Sequence, residues 1–181
     1  ALAASGDVYK KEYRGLYCVG HEAFITEKDL VDGKCQDHQK EPETVAEENY
    51  FFRLSKYAGR IEHAIASGKL AVLPESRKNE ALSFIRNGLD DISISRPSKD
   101  ISWGVPVPDD ESQTMYVWLE ALTSYISSIG YGHGDGEPLG LFEKWWPAEA
   151  QIVGKDNLRF HAVIWPAMLF SAGLDLPRSI F

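Results

Sequence analysis

The stretch that most constrains this chain is Gln151 to Gly173, QIVGKDNLRFHAVIWPAMLFSAG. A short apolar run, Ile152-Val153, breaks at Gly154, and Lys155, Asp156 and Asn157 follow. Then Leu158, His161, Ala162, Trp165, Met168 and Leu169 recur at the i, i+3, i+4, i+7 spacing of one helix face. An open α/β sheet presents polar groups to a ligand in this order of strand, glycine turn, charged residues and helix, at the carboxyl end of a strand. The turn is therefore expected to hold a nucleotide or substrate, and the first helical turn to add a wall.

The remaining length allows one core-forming domain and a small appendage in 181 residues. Hydrophobic residues make up 44% and charged residues 25%, an ordinary globular balance. The net charge is −8, a poor electrostatic match for nucleic acid, so any RNA contact needs a local patch or another part of the protein. No apolar run approaches the roughly 18–20 residues that span a bilayer, so no membrane partner is expected. The start, ALAASGDVYKKEYRGLY, has no signal-peptide pattern and no initiator Met, so the chain is expected to begin inside a longer protein.

Two cysteines are too few for a disulfide scaffold. Their spacing with histidine is more informative. Cys18-x2-His21 is followed, after 13 residues, by Cys35-x2-His38. Two thiolates and two imidazoles make a tetrahedral set that suits structural Zn²⁺, and they point to a reducing compartment. The alternative is a knuckle that keeps its shape without metal, or two unrelated thiols. Residues 14–49 are turn-rich and weakly periodic, too short a module to bury a core without a metal or a host. Residues 1–13 read as an incoming segment.

From Glu47 the pattern becomes helical, with Phe51, Leu54, Tyr57, Ala58 and Ile61 on one stripe that is expected to pack on a core. Ser76 is a plausible cap for a helix over RKNEALSFIRNG, ending at Gly88. Ile92 and Ile94 alternate with Ser93 and Ser95, as in a half-buried strand. SWGVPVP, with two prolines, cannot be a central strand. Gln113 to Val117 reads as a strand running into a helix that carries Trp118, Ala121, Leu122 and Tyr125 on one face. By pattern alone that face is core. Residues 130–140, GYGHGDGEPLG, have the composition of a flexible connection, and Trp145-Trp146-Pro147 of a packed turn.

Several chemistries are excluded. Gly154-Lys155 is not a phosphate-binding P-loop, because Glu149 and Asp156 occupy the required glycine and Ser/Thr positions. No G-x-G-x-x-G follows a strand, and no G-x-S-x-G nucleophile elbow is present. His161, alone on its helix face, reads as a core histidine. Nothing argues for a covalent nucleophile.

Three segments together resemble the methionyl-tRNA synthetases of class I. They are YRGLYCVGHEAFITEKDLVDGKCQDH running on to EENYFFRLSKY, DISISRPSKDISWGVPVPDDESQTMYVWLEALTSYI, and VGKDNLRFHAVIWPAML. The resemblance implies an α/β fold: the second half of a Rossmann-like parallel-sheet catalytic domain, with a small zinc-knuckle connective insertion. The implied division is an incoming segment at 1–13, the insertion at 14–90 with its knuckle at 14–49, and the catalytic half at 91–181. The family's HIGH and KMSKS signatures are absent. The chain is therefore expected to be an internal piece, inactive by itself, whose missing N- and C-terminal parts carry most tRNA contacts. His21 stands where the family's first pair has a second cysteine.

The activity implied is an ATP-dependent ligase, methionine--tRNA ligase, acting through methionyl-adenylate in protein biosynthesis, in the cytoplasm or an organelle matrix. The alternative is a non-catalytic zinc-stabilised binding or assembly module derived from that fold. The resemblance turns the aromatic stripe from core into pocket. Trp118, Ala121, Leu122 and Tyr125 would line one side of a methionine site, and Asn157, Phe160, His161 and Trp165 the other. Gly154 and Asp156 would meet adenosine. Lys155 would face phosphate or solvent. Implied cofactors are structural Zn²⁺ at Cys18, His21, Cys35 and His38, with ATP and Mg²⁺ as co-substrate.

Overall fold

The protein is described here from a computed structural model that covers residues 1–20, 23–25, 30–101, 103–132 and 141–181. The expected ligand His21, Ser102 and most of the glycine-rich stretch 130–140 lie outside the described residues.

The chain begins with a long antiparallel ribbon. Strand β1, Val8–Cys18, is followed at its far end by β2, Ala23–Ile25, which pairs back onto it from Leu16↔Ile25 to Cys18↔Ala23. A miniature hairpin follows, β3 at Leu30–Val31 and β4 at Lys34–Cys35. Its turn is Asp32-Gly33, both at positive φ, the backbone that an Asp-Gly pair tolerates best. Strand β5, Glu43–Phe52, then returns along the whole of β1, in register from Tyr17↔Glu43 to Val8↔Phe52.

This ribbon corrects two expectations. The boundary drawn at residue 13 falls inside β1, and residues 47–52 are strand, not helix. The helical stripe is real only from Leu54 onward: a single turn at Leu54–Tyr57 leads into helix α1, Ala58–Ala66. The ribbon is wet on much of its surface, so its charged residues interrupt the two-residue alternation that marks a strand with one buried face.

Beyond α1 come the short strand β6, Ala71–Val72, and helix α2, Glu75–Arg86, which stops before Gly88 (φ 99°). Pro74, not Ser76, is the residue that caps α2. Strand β7, Ile92–Ser93, adds to β5, completing a four-stranded sheet in the order β2-β1-β5-β7. Strands β8, Ser95–Pro97, β9, Pro106–Val107, and β10, Asp110–Met115, form a second antiparallel sheet with β10 central. The proline-rich β9 is therefore at an edge, where missing N–H groups cost no ladder bond.

β10 runs directly into helix α3, Val117–Ser127, and a short helix α4, Phe142–Trp145, precedes the organising stretch. There, Gln151 bridges Ile180 in parallel, and Ile180 belongs to the last strand β11, Ser179–Ile180, which pairs in parallel with β6. The parallel, Rossmann-like part is thus three short extended segments side by side. The helix that follows is not uniform. A 3-10 turn at Lys155–Asn157 leads to a π-helical turn at Phe160–Ile164 and then to helix α5, Trp165–Ala172. Pro166 has no N–H to give, so the ladder is already broken there, and Trp165 N–H reaches five residues back to the Phe160 carbonyl. Gly173 (φ 73°) ends α5 in the left-handed cap that favours glycine.

One core holds the helices and the parallel strands together. Ile61, Ile65, Leu70, Val72, Leu122, Trp165, Leu169 and Ile180 are each at most 2% exposed and share a single cluster. That cluster draws on both sides of residue 90. Of the ribbon only its base enters the cluster, through Phe52 with Val8 and Tyr50 packed against it, and three carboxylates tie that base to the body. Asp7, fully buried, takes hydrogen bonds from Lys56 Nζ (2.5 Å), Ser171 (2.7 Å), Ser5 (3.0 Å) and the Tyr57 hydroxyl. Asp110 takes them from Lys10 Nζ (2.7 Å), Ser112 (2.6 Å) and the Tyr50 hydroxyl (3.0 Å). Asp91 accepts from Ser55 (2.6 Å) and the Tyr9 hydroxyl (2.8 Å).

Candidate functional site

The site is built where α3 crosses the π-helical turn. β10 ends at Met115, so Trp118 stands in the first turn of α3, and Tyr125 follows seven residues later near the same face. Opposite, the 3-10 and π turns bring Asn157, Phe160, His161 and Trp165 round in quick succession. The two sets meet. The Trp118 and Phe160 rings stack face to face, centroids 3.7 Å apart and planes 13° apart. Tyr125 meets His161 through a 2.9 Å hydrogen bond and lies 6.3 Å from the Trp165 ring.

The bonding pattern assigns the tautomer of His161, which is only 3% exposed. Its Nδ1 sits 2.9 Å from the Asn157 carbonyl oxygen, which only accepts, so Nδ1 carries the proton. Nε2 is then the acceptor for the Tyr125 O–H. Both donors of this pair are therefore committed to each other and to the backbone, and neither is left over for a guest while the bond stands.

Other expected members sit differently. Ala121 faces solvent, and Leu122, 1% exposed, lies in the main core cluster. Asn157 is half-buried. Gly154, Lys155 and Asp156 are exposed on the 3-10 turn at the carboxyl end of the Gln151 segment. Gly154 has φ −63°, which any residue adopts, and a Cβ there would come no nearer than 4.0 Å to another side chain. Nothing inside the fold requires glycine at that position.

Two hollows flank the site. Beneath the Trp118–Phe160 stack lies an apolar void of about 20 Å³, walled by Phe52, Ile94, Leu119, Ile164 and Met168 among others. That is room for about one water and too little for an amino-acid side chain. On the Tyr125 side a hollow of about 290 Å³ is lined by Ile129, Trp145, Trp146, Gln151 and Ile152. Gln151, 6% exposed, has neither amide atom hydrogen-bonded, and the buried Trp165 indole N–H also has no partner. Leaving such groups unpaired costs about 1–3 kcal/mol each, and neither side chain has a partner among the described residues. The sequence reading passed over Gln151; its signal was a polar residue opening an apolar strand.

At the far end of the ribbon, Cys18, Cys35 and His38 converge, their ligand atoms all within 4.8 Å of one another. Both sulfurs approach the same imidazole atom: Cys18 Sγ is 3.7 Å and Cys35 Sγ 3.6 Å from His38 Nδ1. Ordinary zinc bonds of about 2.3 Å to sulfur and 2.0–2.1 Å to nitrogen, set tetrahedrally, put ligand atoms ~3.6 Å apart. The spacing therefore fits. Gly20 lies against the same ring, where a Cβ would come within 2.4 Å of His38, so glycine is needed for the first knuckle turn to close. The two cysteines are not joined as a disulfide.

The carboxylates at the ribbon's base are strongly perturbed. Burial alone would raise the Asp7 carboxyl, but hydrogen bonds from Lys56, Tyr57, Ser171 and Ser5 outweigh it and hold it far below the ordinary range. Asp110 is lowered chiefly by Lys10, with Ser112 and Tyr50. In Asp91, burial is again overcome, by Ser55 and Tyr9. Among the described residues no helix is long and apolar enough to cross a membrane.

The chain resembles known proteins over nearly its whole length. A family model described as tRNA synthetases class I (M) matches residues 25–181. The methionine--tRNA ligase of Clostridium perfringens is 48% identical over 181 residues, covering 99% of this chain and 27% of that protein. A chloroplastic/mitochondrial methionine--tRNA ligase of Arabidopsis thaliana is 47% identical, covering 98% and 29% respectively. Among solved structures, Mycobacterium tuberculosis methionyl-tRNA synthetase bound by methionyl-adenylate superposes with a TM-score of 0.85 at 43% identity, over 99% of this chain and 35% of that one. The chain thus spans about a quarter to a third of the length of the relatives it matches.

Proposed function

Because the chain belongs to the methionyl-tRNA synthetase family of class I, we propose that it forms one wall of the methionine and adenylate site in an ATP-dependent ligase that charges tRNA with methionine. The observation that carries this reading is the meeting of α3 with the π-helical turn, where Trp118 stacks on Phe160 and Tyr125 bonds His161. These residues, with Asn157 and Trp165, make up the methionine side of the site; Leu122 backs them from the core, and Ala121 stands on the exposed face of α3.

A thioether is polarizable and gains roughly 0.3–1.5 kcal/mol from each aromatic ring it meets. The aromatic pair therefore suits a methionine side chain, and its rings must part to admit one, since the void beneath them holds about 20 Å³. Because the Tyr125 and His161 donors are already engaged, selection rests on shape and ring contacts. Shape separates side chains that differ by one methylene by only about 1–3 kcal/mol. The Trp165 N–H and the Gln151 amide, both unpaired, are the polar groups left to orient a bound molecule or the rest of the enzyme.

Gly154 and Asp156 take the adenosine side. A glycine that the fold does not need leaves room for a ribose to approach the backbone, and the exposed Asp156 carboxylate can accept from ribose hydroxyls. Lys155 stands beside them for phosphate. The reaction asks for no protein nucleophile. A methionine carboxylate oxygen bonds to the α-phosphorus as the bridging P–O bond breaks, and pyrophosphate leaves with Mg²⁺. The protein positions the reactants and stabilises charge.

Cys18, Cys35 and His38 would hold a structural zinc ion, with His21 as the fourth ligand that the sequence spacing offers. Four ligands leave no open position, so the ion would cross-link the knuckle and take no part in the chemistry. The knuckle at 14–49 then belongs to a connective insertion, and residues 91–181 to the second half of the catalytic domain. A cytosolic or organelle-matrix setting goes with reduced cysteines and with an organellar relative.

The test is thermal. Free methionine should raise the melting temperature of the intact protein that carries this sequence, and Trp118→Ala should abolish the shift without lowering the ligand-free melting temperature by a comparable amount. An intact protein indifferent to methionine would sink the reading and leave a zinc-stabilised binding module.

A further inference from the structure

We propose that Trp103 is a stacking platform for the unpaired 3′ end of the transfer RNA, held at the mouth of the aromatic site. This rests on the synthetase reading above and assigns a residue to its second substrate.

Trp103 is 76% exposed, against 57% for Trp145 and 39% for Tyr125. The chain that follows Trp103 is firmly held. Gly104 next to it has φ +130°, and a Cβ there would lie 2.6 Å from Thr114 Cγ2, so the turn is pressed against β10 and only glycine fits. Beyond Gly104, Val105 is tied down too. Its carbonyl accepts from Met115 N–H (2.8 Å), its N–H meets the Glu120 carboxylate (3.4 Å), and Pro106 pairs with Thr114. These anchors, Thr114 to Glu120, bracket Trp118. Two residues of chain reach at most ~7 Å, so Trp103 stands beside the first turn of α3. Val105 and Val117, 46% and 53% exposed, flank the same corner with an apolar shelf.

Among the described residues nothing covers the indole, so its apolar area adds little to this part of the fold. It does suit a guest with flat faces. The terminal nucleotide of tRNA must come to the methionine carboxyl, and it is single-stranded. Bases stack on exposed aromatic rings without regard to sequence, each contact worth about 1–3 kcal/mol. Stacking also needs no positive charge, which suits a chain of net charge −8 that offers phosphates little.

The experiment compares Trp103→Ala and Trp103→Phe in the intact enzyme. Methionine-dependent ATP–pyrophosphate exchange should be unchanged in both. In Trp103→Ala the affinity for tRNA should fall by about fivefold to a hundredfold, the range of one lost stacking contact, and Trp103→Phe should restore most of it. With tRNA trimmed of its unpaired 3′ nucleotides, wild type and Trp103→Ala should bind alike. Exchange falling in step with tRNA affinity would overturn the proposal, by placing Trp103 in the amino-acid site or the fold. Unchanged tRNA affinity would overturn it as well, as would an equal loss with trimmed tRNA. If wild type itself shows no methionine-dependent exchange, it is the synthetase reading that fails.

Discussion

The ribbon and the body are stabilised in opposite ways. In the body, large apolar side chains from helices and strands on both sides of residue 90 close on one another, and the buried polar groups are few. The ribbon runs the length of β1 and β5 with almost no core of its own. Its base is held by three carboxylates, its tip by the Cys18, Cys35 and His38 cluster. Loss of one apolar contact weakens the body in proportion to the cavity left. Loss of one member of the cluster should loosen the whole tip, because among the described residues there only Cys18 and Cys35 are buried.

The largest effect expected from this contrast is at the tip. Chelating the metal, or Cys35→Ser, should take bound zinc from one per chain to near zero by mass spectrometry. Amide exchange over 18–38 should rise to nearly unprotected, while α3 and α5 keep their protection. Global unfolding under the same treatment would break the comparison. Next comes the body. Leu122→Ala should cost about 2–5 kcal/mol in denaturant unfolding, with the zinc content unchanged.

Smaller again is the joint between the two. Asp7→Asn should cost about 1–3 kcal/mol, because a buried set of donors loses its charged acceptor. Asp7, Asp91 and Asp110 all have folded pKa values below their unfolded ones. The stability they add is therefore full above the unfolded value of about 4 and is lost as pH falls through and below it. Melting between pH 6 and pH 2 should show that decline, and Asp7→Asn should flatten it. Finally, Gln151→Leu should stabilise the isolated 181-residue chain by about 1 kcal/mol, since it removes a buried amide without partners. A loss of stability instead would mean that Gln151 is satisfied within the chain.

The same contrast explains what could be read from the sequence. α3 and the 158–172 helix were legible because a helix face is written within a few residues. Cys35-x2-His38 was legible because one turn brings both side chains together, and Cys18 joins them from the end of β1; His21 lies outside the described residues. The ribbon was not, since β5 pairs with a strand some forty residues earlier and its wet, charged surface hides the alternation. Phe51 and Phe52 consequently passed for the start of a helix, when they are the end of a strand. In the site, spacing alone put Trp118, Leu122 and Tyr125 on one helix face and read it as core. That is where Leu122 lies, while the pairing of Trp118 with Phe160 and of Tyr125 with His161 depends on the crossing of two helices. Gln151 escaped notice because its missing partners are visible only in three dimensions.

The π-helical turn has a consequence for how this chain tolerates change. One extra residue in a turn advances everything downstream by about 100° relative to a regular helix. Phe160 and His161 can thus look toward α3 while Ala167, Met168 and Leu169 keep their own bearing into the interior. A single deletion between Phe160 and Ile164 would straighten the helix and leave both ends chemically intact but rotated out of phase, so that one of the two duties must fail. Length there is as strictly specified as side-chain identity.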